Sequence, residues 1–200
     1  MADNKKPRLK TPIGEAKWAH LFVPKPPFKG EADKGAKYMI DVVFSPDDPA
    51  WKAWATDLKQ RITALPVQYE KVPMPDGTKI PKKKQMPIKP ELDVDDKPTG
   101  RYFVTFKTGE RFKPGVFDKY GQEVPESVSI GNGSKVRVAY VESEYTEFGG
   151  GIALYLNAVQ VVELLEYKPH NAAAYGFEVE PVPAGAPATL PPQAEDDLPF

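Results

Sequence analysis

The sequence predicts an all-β fold: a small barrel or sandwich of five to six strands with one inserted α-helix and a disordered C-terminal tail. Three observations carry that expectation. Several segments alternate apolar and polar residues, a single stretch has helical spacing, and 23 of the 200 residues are proline. Alternation with period two marks a half-buried strand. Proline removes backbone donors and breaks helix interiors, so its abundance argues against a helical bundle and for short strands joined by long loops.

Lys17–Val23 (KWAHLFV) is the first strand candidate. Residues 36–44 (AKYMIDVVF) then set Tyr38, Ile40, Val42 and Phe44 on one face. The chain turns at Ser45-Pro46, and Asp47-Asp48-Pro49 supplies a capping acid and a proline for a first helical position. Trp51, Trp54, Leu58, Ile62 and Leu65 follow at spacings of 3, 4, 4 and 3, which predicts a helix over 49–65 with its apolar stripe on the core. From Pro66 to Gly100 come seven prolines, a lysine cluster (Lys79, Lys82, Lys83, Lys84, Lys89) and four acids (Glu91, Asp93, Asp95, Asp96). So many missing amides cannot build a regular ladder, and the segment reads as a long excursion with room for one short strand pair. Strand patterning returns at 101–107, 134–145 and 152–165. The last two flank Thr146–Gly151, whose glycines accept the positive φ of a hairpin connection.

Composition bounds the function. With 27 basic and 28 acidic residues the net charge is −1, but residues 1–168 hold every base and 23 of the acids, while 169–200 hold five acids and no base. A mildly cationic body thus precedes an anionic tail. The absence of cysteine excludes disulfides, thiolate metal sites and a thiol nucleophile, and His20 and His170 are the only imidazoles. No cofactor, metal site or catalytic group is expected. The N-terminus lacks an apolar leader segment, and the longest clean apolar run, Ile152–Leu156, is far below the ~18 residues of a membrane span, so a soluble, non-secreted protein is expected. Two parts are expected: a folded domain over 1–168, and over 169–200 a flexible linker with an acidic tip, because Ala, Pro and Gly cannot bury enough apolar area to offset chain entropy.

The tip, Glu195, Asp196, Asp197, Leu198, Pro199 and Phe200, offers a partner an anionic field and a terminal aromatic bearing its own carboxylate. A pocket with an apolar floor and a cationic rim would take both, whereas a tail serving solubility alone has no need of the aromatic.

This ending resembles the acidic tip of bacterial single-stranded DNA-binding proteins, in which a flexible linker leads to Asp-Asp-x-Pro-Phe. The body resembles a phage family first described as a domain of unknown function, the DUF2815 type, in Lys17–Pro24, Arg111–Val124, Gly133–Arg137 and Gly151–Gln160. The resemblance implies a phage single-stranded DNA-binding protein with an oligonucleotide-binding (OB) fold, an OB-like five- to six-stranded antiparallel barrel. It implies a role in phage DNA replication, recombination or repair in the cytoplasm of the infected bacterial host. The acidic tip is expected to recruit replication and repair proteins and to compete with DNA for the cationic surface, and a cationic groove released from its tail is expected to tolerate duplex DNA as well.

A sequence-tolerant single-strand site needs cations along the phosphates and exposed rings for base stacking. Residues 101–120 interleave Arg101, Lys107, Arg111, Lys113 and Lys119 with Phe103, Phe112, Phe117 and Tyr120. Alternation over 101–107 sends Tyr102, Val104 and Phe106 to the core and leaves Phe103 as a stacking platform between two cations. Arg137 projects outward between Val136 and Val138. Lys82, Lys83 and Lys84 are either a phosphate-gripping loop or a solvated face. Two rival functions stand: a metal-dependent nuclease using the acids of 91–96, whose spacing misses the calcium-loop template, and an adaptor whose tail is its sole functional element. Gly131–Lys135 reads as a β-turn, His20 as a structural histidine, and Trp51 and Trp54 as core.

Overall fold

The computed structural model describes residues 6–27, 35–69 and 81–167. The linker and acidic tip expected over 169–200 lie outside the described residues. Strands form at β1 (Leu9–Lys10), β2 (Gly14–Lys25), β3 (Lys37–Phe44), β4 (Ile88–Leu92), β5 (Pro98–Gly109), β6 (Gly115–Asp118), β7 (Lys135–Tyr145) and β8 (Gly151–Glu163), with α1 (Pro49–Ala64) between β3 and β4. Among the described residues no helix is long and apolar enough to cross a membrane.

Five strands pair in a closed circuit. β2–β3, β3–β5, β7–β8 and β2–β7 are antiparallel, and the single pair Lys107↔Tyr155 closes the ring by joining β5 to β8 in parallel. This is the OB barrel expected from the sequence. Three short strands border it: β1 on β7, β4 on β5, and β6 parallel to β8. β4 arises inside the Pro-rich excursion. It pairs with one neighbour only, and such an edge tolerates the missing amide of Pro90.

Alternation decides what fills the barrel. Ile40 and Val42, Val104 and Phe106, and Val136 and Val138 point inward and are fully buried, each contributing about 1.5–3 kcal/mol. β3 and β5 hold an unbroken register from Lys37↔Gly109 to Phe44↔Tyr102, which fixes the outward residues of both strands relative to one another. Tyr102, assigned by alternation to the core, lies at its margin, 39% exposed and stacked on Trp51 at 6.4 Å.

Asp48 caps α1 by accepting a hydrogen bond from the Ala50 amide at 2.9 Å, and Pro49 occupies the first turn. Trp51, Leu58 and Ile62 face the core. Trp51 stacks on Phe44 at 4.3 Å, and Trp54 donates to the Tyr140 hydroxyl at 2.9 Å, satisfying a phenol whose pKa burial pushes up to about 12. Arg61 pairs with Glu142 of β7, and Lys84 donates to the carbonyls of Thr63 and Leu65 at the helix C-terminus. The β7–β8 connection passes through Glu147–Gly149 as expected for a hairpin. Gly149 has φ 96°, and a Cβ there would lie 2.3 Å from the Lys83 carbonyl.

Gly14 marks a close approach of β2 to β3: a Cβ would lie 2.5 Å from Val42 Cγ1, 2.7 Å from Phe44 Cε1 and 2.8 Å from the Val43 carbonyl. Gly14→Ala is therefore expected to destabilise the barrel by about 1–3 kcal/mol, read as a lowered midpoint in denaturant unfolding.

Candidate nucleic-acid interface

The outward residues of β2, β3, β5 and β4 line up in rows set by register. One row runs Glu15, Val43, Phe103, Lys89; the next runs Lys17, Asp41, Thr105; a third brings His20, Met39 and Lys107 together. Between Lys17 and His20 the β2 register shifts, and Trp18 adopts φ 51°, a conformation costly for a bulky residue. The backbone amide of Trp18 donates to Asn132 Oδ1 at 3.0 Å, and its indole is left 48% exposed. The result is an open groove of about 490 Å³ walled by Trp18, Phe103, Val43, Lys17, Lys89 and Asp41. Two rings and flanking cations beside an open channel can stack bases and attract phosphates.

The groove is braced from one side by a buried carboxylate. Glu91 accepts from Lys17, from Thr99 Oγ1 at 2.8 Å and from Arg101 at 2.7 and 3.2 Å. Arg101 also reaches Glu15 at 2.7 Å, and Lys135 pairs with the same Glu15 at 2.9 Å. Burial opposes the charge on Glu91, but the hydrogen bonds from Lys17, Thr99 and Arg101 outweigh it and hold the carboxyl at about 2. Glu15 is likewise lowered, chiefly by Lys135. Arg101, read from the sequence as a phosphate contact, thus ties β5 to β4 and β2. Asp41 behaves oppositely. Burial raises its pKa, opposed by the Thr105 hydroxyl, which donates at 2.6 Å, and by the charges of Lys89, Lys25 and Lys17.

No protein-family model matches the chain, and no curated protein matches it. Solved structures do. The chain superposes on gp2.5, a single-stranded DNA-binding protein encoded by bacteriophage T7, with a TM-score of 0.55 and 20% identity over 88% of this chain and 96% of that one. It also superposes on the single-stranded DNA-binding protein from bacteriophage Enc34 in complex with ssDNA, with a TM-score of 0.54 and 19% identity over 78% of this chain and 86% of that one. The chain shares its fold with these phage proteins.

The remaining sequence candidates divide. Phe117 sits on β6 opposite Gln160 of β8, which in turn faces Arg137 of β7, so Phe117 and Arg137 share a second outward row. Asp118 accepts from the amides of Tyr120 and Gln122, both at 2.8 Å, in a turn that leaves Tyr120 exposed with Lys119 Nζ 5.1 Å from its ring centroid. Arg111 and Phe112 are exposed in the β5–β6 connection, where Lys113 is paired with Glu126. Lys107 is exposed on β5, beside Met39 and Tyr155. Lys82 and Lys83 are exposed near the end of α1, while Lys84 caps that helix. Three of the four acids considered for metal binding are engaged locally: Glu91 in its ion pairs, Asp93 in accepting the amides of Asp95 and Lys97, Asp95 with Lys97. Among the described residues no three His, Asp or Glu side chains gather as metal ligands.

Sequence reasoning missed Trp18, Lys17 and Asp41 as groove residues and did not separate Lys89 from its cluster. Only the β2 irregularity turns Trp18 outward, and simple alternation gives no sign of it. Lys17 and Asp41 were legible as outward positions of predicted strands.

Proposed function

We propose that this protein binds single-stranded DNA without sequence specificity and without turnover, as a phage-type single-stranded DNA-binding protein. The groove carries this reading: Trp18 and Phe103 flanked by Lys17 and Lys89 on the outward face of an OB barrel. Rings supply stacking that every base can use, and lysines displace counterions from phosphates. The fold shared with two phage proteins named for single-stranded DNA binding, one solved with ssDNA, supports it. The narrower likeness to the DUF2815 type rests on the sequence segments quoted above. Exposed Phe112, Tyr120, Arg111 and Lys107, with Arg137 and Phe117 on the second row, extend the surface a strand could follow. Lys82 and Lys83 are further phosphate contacts in this reading.

The tip Glu195–Phe200 recruits replication and repair proteins and, when unoccupied, competes with DNA for the cationic groove, in the cytoplasm of an infected host. The test is fluorescence anisotropy of a labelled poly-pyrimidine strand at two ionic strengths, with the full chain and with residues 195–200 removed. Affinity is expected to fall steeply with salt and to rise at low salt on truncation. Unchanged affinity on truncation would overturn the competition; no binding by the truncated chain in dilute buffer would overturn the function. A duplex probe in the same assay measures whether the truncated chain accepts paired DNA.

A further inference from the structure

We propose that Asp41 reads the hydrogen-bonding edge of a base seated in the Trp18–Phe103 groove, favouring bases that present an amino group, such as cytosine, over thymine. The inference rests on the single-strand binding proposed above and adds a preference at one nucleotide position within it.

A carboxylate inside a groove for a polyanion repels phosphate, so its presence there calls for a different role. Asp41 lies in the row between Lys17 and Thr105, on the groove wall, one row from Phe103. Among the described residues it accepts one hydrogen bond, from Thr105 at 2.6 Å. An ionised carboxylate only accepts and has room for about four donors, so capacity remains. The lysines whose charges reach it, Lys89, Lys25 and Lys17, favour the ionised form and provide the cationic margin along which phosphates would run. A base stacked on the rings, with its backbone at those lysines, would turn its edge toward Asp41. Cytosine offers the two N–H donors of its N4 amino group there, the donor that aspartate recognises in nucleic acids, whereas thymine offers a single donor, N3–H, flanked on both sides by the O2 and O4 acceptors that repel a carboxylate.

The test measures binding of the full chain to oligodeoxycytidylate and oligodeoxythymidylate of equal length. Both are flexible pyrimidine strands, and comparing ratios removes the general gain in affinity from deleting a negative charge. The wild-type chain is expected to favour the cytidine strand by about fivefold. Asp41→Asn keeps an acceptor for Thr105 and offers an amide donor to the groove, so the preference should vanish or invert. Thr105→Val keeps the carboxylate and frees its second acceptor site, so the preference should persist or grow; this variant also decides the matter if Asp41→Asn fails to fold. Equal binding of both strands by the wild type, an unchanged ratio in Asp41→Asn, or a lost preference in Thr105→Val would each overturn the inference. Binding to neither strand, by the full chain and by the chain lacking residues 195–200 alike, would overturn single-strand binding itself, and this inference with it.

Discussion

Replacing Trp18 and Phe103 together by alanine is expected to weaken binding to a poly-pyrimidine strand by about 100-fold, because each stacked base is worth ~1–3 kcal/mol and two platforms are removed. Each single replacement should account for roughly tenfold. Trp18 is half exposed, so its loss leaves the core intact. Phe103 sits between Val43 and Lys89 in register, and its truncation carries some cost in packing. Unfolding curves for each variant separate that cost from lost affinity. The comparison pair is Phe112→Ala with Tyr120→Ala, exposed rings on the extended surface outside the groove, which should lose less affinity than the groove pair. If the comparison pair loses more affinity than the groove pair, DNA follows the β6–β8–β7 surface and the groove assignment fails.

Glu91→Ala should cost about 2–3 kcal/mol of stability, because it removes the buried carboxylate shared by Arg101 and Lys17, while those cations are themselves about one-third exposed and Arg101 keeps its pair with Glu15. The pH dependence supplies an independent check. The folded-state pKa lies near 2 against an ordinary value of 4.5, so the stabilisation is present in full above about pH 4.5 and is lost as pH falls through about 2. Wild-type unfolding free energy should therefore drop across this window by on the order of 2 kcal/mol more than that of the variant. Parallel profiles for the two proteins would show that Glu91 is not held ionised by its partners. Arg101→Ala probes the same network from the cationic side.

The elements most legible in the sequence are those whose local pattern and tertiary role agree. The helix expected over 49–65 spans Pro49–Ala64, and the hairpin strands expected at 134–145 and 152–165 span Lys135–Tyr145 and Gly151–Glu163. Cap, proline and apolar stripe act together in the helix, and glycines with alternating flanks act together in the hairpin. β4 falls where the Pro-rich excursion left room for one short strand pair, and it pairs locally with β5, whereas β6 escaped notice because it exists only by pairing with the distant β8. The candidate site shows the same division. Phe103 was found because alternation over 101–107 holds without irregularity. The true partners of Arg101 were hidden, since Glu91 and Glu15 lie 10 and 86 residues away in sequence and meet it only through sheet register. Trp18 was hidden by a backbone irregularity, and strained backbone of this kind gathers at functional positions.

The three tryptophans divide sharply by environment. Trp51, buried, and Trp54, half-buried, lie 5.4 Å apart in a stack with Phe44, close enough for coupled electronic transitions, while Trp18 is half exposed. The molecule consequently carries two separate optical channels. Near-ultraviolet circular dichroism should follow the stacked pair and vanish only when the whole barrel melts, whereas iodide quenching of emission should follow mainly Trp18, the most exposed of the three, and fall when a ligand shields it.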